Sequence, residues 1–142
     1  MEEREVEYST VGNHITVDFW GVDFDKTNNL KYLEGLLICA AEDAGATVLD
    51  VVSRQFEPNG CTVLILLSES HASFHTYPQK GYISFDCYTC GETVDPYRAF
   101  KFVKSVIKPS RVHIKQLKRG LGEDSPIQII NIVGEWNGNS KV

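Results

Sequence analysis

From His14 to Trp20 apolar and polar residues alternate, and the run His-Ile-Thr-Val-Asp-Phe-Trp is rich in β-formers, which predicts a strand. Val22 to Asn29 is polar and predicts a turn. The period then changes. Leu30, Leu33, Leu37 and Ala41 recur at helical spacing, and Gly45 supplies a C-terminal stop. Thr47 to Phe56 reads as a second strand, Glu57-Pro-Asn-Gly60 as a turn and Cys61 to Ser68 as a third strand, together a hairpin. The polar segment that follows is expected to turn before Gly81. Gly81 opens a fourth strand, Tyr82 to Tyr88, with Ile83, Phe85 and Cys87 on one face and Ser84, Asp86 and Tyr88 on the other. Asp95-Pro96 predicts a helix start, Asp as N-cap and Pro at the first helical position. Phe100, Val103 and Ile107 form that helix's apolar stripe, and Pro109 ends it. Arg111 to Lys118 alternates again, Gly120 to Pro126 is a loop, and Ile127 to Val133 predicts a last strand.

Strand, helix, three strands, helix, strand is the order of an α+β two-layer sandwich: a mostly antiparallel sheet with two helices on one face. The third strand adds a consequence. Leu64 and Leu66 alternate with Val63, Ile65 and Leu67, so it is apolar on both sides. One side packs on the helices. The other needs a cover, and the simplest cover is a second copy of the chain. No internal repeat, low-complexity segment or domain boundary interrupts residues 1–142, so one domain is expected.

Composition narrows the class. The 142 residues are 42% hydrophobic and 23% charged, the balance of a soluble globular protein. No apolar run approaches the roughly 20 residues that span a bilayer, and MEEREVEYST lacks the basic-then-apolar layout of a secretory signal. A cytoplasmic protein with no membrane partner is expected. The net charge of −5 gives nucleic acid no broad reason to bind. The local basic stretch of Lys101, Lys104, Lys108, Arg111, Lys115, Lys118 and Arg119 reads as a solvated helix face and strand. Cys87 and Cys90 have CxxC spacing, but no second pair exists to complete a metal site, and the pair closes a strand rather than opening a helix as redox motifs do. Neither metal, redox chemistry nor disulfides are expected.

The chemistry concentrates in Leu66-Leu-Ser-Glu-Ser-His-Ala-Ser-Phe-His-Thr-Tyr-Pro78. Ser70 has His75 five residues on, in a segment expected to turn, so a base lies within reach of a hydroxyl nucleophile. There is no GxSxG elbow and no third member of a triad. The residues alone leave two readings open, a Ser/His site at a strand end or satisfied loop polars. His14 and His113 read as strand histidines, satisfied or exposed.

Ser68-Glu69-Ser70-His71, followed by His75-Thr76 and Pro78, resembles the self-cleavage motif of the small prokaryotic S-adenosylmethionine decarboxylases. The resemblance extends from about Ser9 to Gly120, through Thr10-Val-Gly12-Asn-His14, Phe56-Glu-Pro58-Asn-Gly60, Gly81-Tyr82, Tyr88-Thr-Cys90-Gly91 and Val94-Asp-Pro96. It implies a decarboxylase that makes its own pyruvoyl cofactor, without pyridoxal phosphate. In the implied chemistry the Ser70 hydroxyl attacks the Glu69 carbonyl and shifts the amide to an ester. His75 then removes the α-hydrogen of residue 70 and the ester is eliminated. Hydrolysis leaves a pyruvoyl group and releases ammonia. The products are a β chain, 1–69, and an α chain, 70–142. S-adenosylmethionine then forms a Schiff base with that group and loses CO2, giving the aminopropyl donor for spermidine synthesis. Cys90 is the implied proton donor at the former α-carbon.

The resemblance also implies Phe56 and Tyr77 as walls for the adenine and sulfonium, with core packing as the open alternative. Gln79 stands where many members have a glutamate suited to ribose hydroxyls, and Asn13 replaces a frequent arginine. Two other readings stay open here: an ornithine or arginine decarboxylase with the same machinery, and a non-catalytic interaction subunit. The expected assembly is a dimer of αβ units.

Overall fold

The computed structural model describes residues 9–130. Seven strands form one sheet: β1 Gly12–Trp20, β2 Val48–Gln55, β3 Cys61–Leu67, β4 Ser70–Tyr77, β5 Tyr82–Cys90, β6 Arg111–Arg119 and β7 Gln128–Ile130. Their order is β2-β3-β4-β5-β1-β6-β7, and every pairing is antiparallel. The main helices are α2 Leu30–Asp43 and α3 Pro96–Ile107, with one helical turn, α1 Phe24–Thr27, ahead of them. This is the expected α+β two-layer sandwich.

Local signals place the helix ends. The Asn29 side chain accepts the Tyr32 N–H at the start of α2, and Asp95 accepts the Tyr97 N–H at the start of α3. Gly45, at φ +93°, turns the chain out of α2 in a conformation that L side chains rarely adopt. The core lies between the layers. Ile15, Val17 and Phe19 of β1, Val63, Ile65 and Leu67 of β3, and Ile83, Phe85 and Cys87 of β5 are all buried, as are Leu33 and Leu37 of α2 and Phe100 and Val103 of α3. Phe100 stacks on Phe19 at 5.9 Å between ring centroids, tying α3 to the middle of the sheet.

Three expectations change. Ser70 to Tyr77 is a strand, not a turning segment. Its alternation is real: Ala72, Phe74 and Thr76 are buried, while His71, His75 and Tyr77 are exposed. Polar residues fill its outer positions because that face of the sheet carries no helix. Val22–Asn29 contains the helical turn α1, closed by the buried Thr27 hydroxyl donating to Asp23 O at 3.2 Å. The last expected strand is observed as Gln128–Ile130, and residues 131–133 fall outside the described part of the chain.

The helix-free face is ordered by register. One row across the sheet reads Leu66, His71, Tyr88, His14, Leu117, the next Leu64, Ser73, Asp86, Thr16, Lys115, and a third Thr62, His75, Ser84, Asp18, His113. At the β2–β3 side the face is apolar and open: Val52, Leu64 and Leu66 remain 63%, 45% and 54% exposed.

Candidate active site

The connection between β3 and β4 is two residues long, Ser68 and Glu69. It is pinned at both ends. Thr47 O accepts the Ser68 N–H at 3.0 Å, and the Glu69 carboxylate accepts the Thr47 N–H at 3.0 Å and the Ser68 hydroxyl at 2.5 Å. Those bonds, the Ser68 hydroxyl foremost, hold the Glu69 carboxyl below its ordinary pKa. The Glu69 backbone carbonyl accepts the Cys90 N–H at 2.9 Å. Ser70, the next residue, has φ +147°, a left-handed value for a residue with a side chain. Such a conformation costs about 1–3 kcal/mol and persists only where its surroundings impose it. The 69–70 linkage thus joins a polarised carbonyl to a strained residue.

Cys90 is exposed at the end of β5, one position beyond Thr89, the ladder partner of Ser70. Cys87 differs: it is buried, and burial, helped by the carboxylates of Asp86 and Asp95, pushes its thiol up to about 12. The two members of the CxxC spacing therefore share no site.

A polar network lies beside Ser70. Asp86 Oδ2 is 2.8 Å from His14 Nε2 and 3.3 Å from His71 Nε2, and Asp86 Oδ1 accepts the Ser73 hydroxyl. Arg119 Nη1 is 3.2 Å from His14 Nδ1, and its guanidinium lies over the Tyr88 ring at 4.7 Å. Arginine only donates, so His14 Nδ1 accepts and His14 Nε2–H points to Asp86. Gly12 lets the Tyr88 ring lie against its backbone, where a Cβ would stand 2.6 Å from the hydroxyl. His14 was readable from sequence only as a satisfied or exposed strand histidine, and it proves to be the inner support of this network. The ligand atoms of His14, His71 and Asp86 lie within 4.8 Å of one another, a spacing that a cation can bridge, but hydrogen bonds already join the carboxylate to both rings.

Burial alone would raise the Asp86 pKa. The hydrogen bonds from His14 and Ser73, with the electrostatic attraction of the neighbouring His71 and His14, outweigh it and hold the carboxyl at about 2. A carboxyl depressed in the folded state stabilises the fold above its unfolded value, near 3.8, and that stabilisation disappears as pH falls toward the folded value. Asp86→Asn should therefore lose less stability than the wild type between about pH 5 and pH 2, by about 1–2 kcal/mol after allowance for partial exposure. Denaturant melts at pH 6, 4 and 3 measure the difference.

His75 is elsewhere. It sits opposite Ser84 with Nδ1 3.1 Å from Thr62 Oγ1. Five residues of extended strand separate it from Ser70, about 16 Å. The proximity expected from a turning segment is thus absent within one chain, because the segment is β4; the imidazole next to Ser70 is His71, with Nδ1 3.5 Å from Ser70 Oγ. The expected substrate walls lie at the His75 end. Tyr77 stacks on Tyr82 at 5.5 Å, and Tyr82 on Trp20 at 4.3 Å. Gln79 is exposed in the short turn after β4, and Phe56 at the tip of the β2–β3 hairpin, which Cys61 N–H ties to Thr76 Oγ1 at 2.9 Å. A trough of about 570 Å³ between β5, β1 and β6 runs from His75 to His14 and Asp86. One chain therefore carries two half-sets at opposite ends of β4: Glu69, Ser70 and Cys90 at one, and His75, Tyr77, Phe56 and Gln79 at the other.

Residues 13–120 match the family model described as S-adenosylmethionine decarboxylase. The chain is 57% identical over 118 residues to the S-adenosylmethionine decarboxylase proenzyme of Brevibacillus brevis, covering 83% of this chain and 89% of that one. It is 41% identical over 130 residues to the proenzyme of Symbiobacterium thermophilum, covering 92% and 98%. Among solved structures, the adenosylmethionine decarboxylase of Aquifex aeolicus superposes with a TM-score of 0.75 at 36% identity, over 85% of this chain and all of that one.

Proposed function

The chain belongs to the S-adenosylmethionine decarboxylase family, and from that premise we propose that it is a proenzyme that cuts itself between Glu69 and Ser70 and then decarboxylates S-adenosylmethionine. The observation that carries this reading is the 69–70 linkage: a strained Ser70 after a carbonyl fixed by the Cys90 N–H. The Ser70 hydroxyl is the nucleophile of an acyl shift from nitrogen to oxygen. Removal of the residue-70 α-hydrogen by His75 then expels the Glu69 carboxylate, releasing chain 1–69 and leaving dehydroalanine. Water hydrolyses its imine form with loss of ammonia to leave a pyruvoyl group at the head of chain 70–142. That group supplies the electron sink for loss of CO2. The donor set at its position fits, because the Cys90 thiol is exposed beside residue 70 and free to hold the proton that replaces CO2. The exposed aromatic ladder of Tyr77, Tyr82 and Trp20, together with Phe56, offers π faces to an adenine and a sulfonium. Gln79 supplies a neutral polar contact there.

The separation of the half-sets supports a second chain in the site. About 16 Å of strand is beyond the reach of a general base. A two-fold pairing of helix-free faces would cover Val52, Leu64 and Leu66 and bring the His75 end of one copy to the Ser70 end of the other. The proposed assembly is thus a dimer of αβ units with composite sites. A single experiment separates this from action within one chain. Co-expressed Ser70→Ala and His75→Ala chains, each unprocessed alone, should give cleavage of up to about half of the His75→Ala chains, the share that random pairing places in mixed dimers. No cleavage in the mixture would place His75 outside a composite site. The activity itself is read by CO2 release from S-adenosylmethionine, with ornithine and arginine alongside and expected to give none.

A further inference from the structure

The proposed processing leaves its first step without a base. His75 is assigned to the α-hydrogen and lies about 16 Å away along its own strand, yet a serine hydroxyl attacks an amide carbonyl only as its proton leaves. Among the described residues, His71 beside Ser70 is a candidate whose chemistry can be followed atom by atom.

Asp86 is ionised and can only accept, so its contact with His71 Nε2 at 3.3 Å requires that nitrogen to carry the hydrogen. In the neutral ring Nδ1 is then the lone-pair nitrogen, and it faces Ser70 Oγ at 3.5 Å. Asp86 is itself fixed by His14 Nε2–H at 2.8 Å and by the Ser73 hydroxyl, and His14 by Arg119. Hydroxyl, imidazole and carboxylate thus stand in line within one chain. The Cys90 N–H waits on the carbonyl oxygen of Glu69 at 2.9 Å, on the atom where negative charge would develop.

We infer that His71, oriented by Asp86, is the base that activates Ser70 for the acyl shift, a step distinct from the one assigned to His75. The inference rests on the self-cleavage reading given above. His71 Nδ1 takes the Ser70 hydroxyl proton as Oγ adds to the Glu69 carbonyl carbon. The carbonyl π pair moves onto oxygen, held by the Cys90 N–H. Collapse restores the carbonyl and breaks its bond to the Ser70 nitrogen, which takes the proton from His71 and leaves as an amine. The step is an isomerisation and needs no co-reactant. The contact of 3.5 Å must shorten to about 3 Å for proton transfer, the usual tightening of catalytic contacts on the way to reaction.

The stage at which processing stalls tests the assignment. Hydroxylamine cuts esters but spares ordinary amides, so it traps whatever ester forms at 69–70, and intact mass reads its rate of appearance. In a His75→Ala background the ester should be trapped readily. Adding His71→Ala or His71→Asn to that background should slow trapping by about 10²–10⁴-fold, the range for loss of a general base. The asparagine variant keeps an N–H donor for Asp86, and matched melting temperatures verify the fold. Trapping at an unchanged rate in the folded double variant would overturn the role of His71. Cleavage of a Ser70→Ala chain would instead overturn the self-cleavage reading, so the two failures are distinguishable.

Discussion

Ser70→Ala is expected to give a single uncut chain of 142 residues, where the wild type gives two, 1–69 and 70–142. The effect should be complete. An alanine methyl has no lone pair to add to the Glu69 carbonyl. The fold should not notice the change. Ser70 is half-buried, and its hydroxyl makes one side-chain contact among the described residues, at 3.5 Å to His71. Its removal should leave the melting temperature close to that of unprocessed wild type. The φ of +147° is imposed by the turn and by the Cys90 N–H, and alanine carries the same strain. Loss of cleavage with stability intact would thus be a chemical effect, read by intact mass and a denaturing gel. Efficient cutting between residues 69 and 70 in this variant would remove Ser70 from the role of pyruvoyl precursor.

Periodicity was enough for most of the scaffold. The β1 alternation, the α2 stripe with its Gly45 stop and the Asp95-Pro96 start of α3 each follow from local physics, and the structure keeps them nearly to the residue. β4 was hidden because only Ala72 and Phe74 are apolar in Ser70–Tyr77. Its outer positions hold histidines, a serine and a tyrosine, the composition of a loop, because that face is given over to chemistry instead of packing. Misreading the strand as a turn also made Ser70 and His75 seem adjacent. In an extended chain the same five-residue spacing is a separation of about 16 Å. The His14, His71, Asp86 and Arg119 network was illegible for another reason. Its members are joined by the register of three strand pairings, β4–β5, β5–β1 and β1–β6, which no local window contains. One trace of it was visible. Asp86 shares a strand face with Ser84 and Tyr88, an acid on the face opposite the apolar Ile83, Phe85 and Cys87.

Cys90→Ala should separate processing from turnover. The two depend on different atoms of the same residue. Its backbone N–H holds the Glu69 carbonyl, and the substitution keeps that N–H, so the chain should still divide into 1–69 and 70–142. Its thiol is exposed beside residue 70 and is lost. Once CO2 has left the substrate, a proton must reach the former α-carbon, and without the thiol this step should slow by about 10²–10⁴-fold, as for loss of a general acid. The direction of protonation should suffer as well. A proton delivered to residue 70 instead converts the head of the second chain into alanine and ends activity. The variant should therefore lose its remaining activity during turnover, while protein kept without substrate stays intact. Mass spectrometry of chain 70–142 after incubation with S-adenosylmethionine reads the outcome directly, because an alanine terminus and a pyruvoyl terminus differ in mass. Wild-type turnover with an unchanged terminus would exclude the thiol as donor and shift the role to Tyr88 or His75. A failure to divide at all would mean that the thiol, and not only the backbone N–H, is needed to cut the 69–70 linkage.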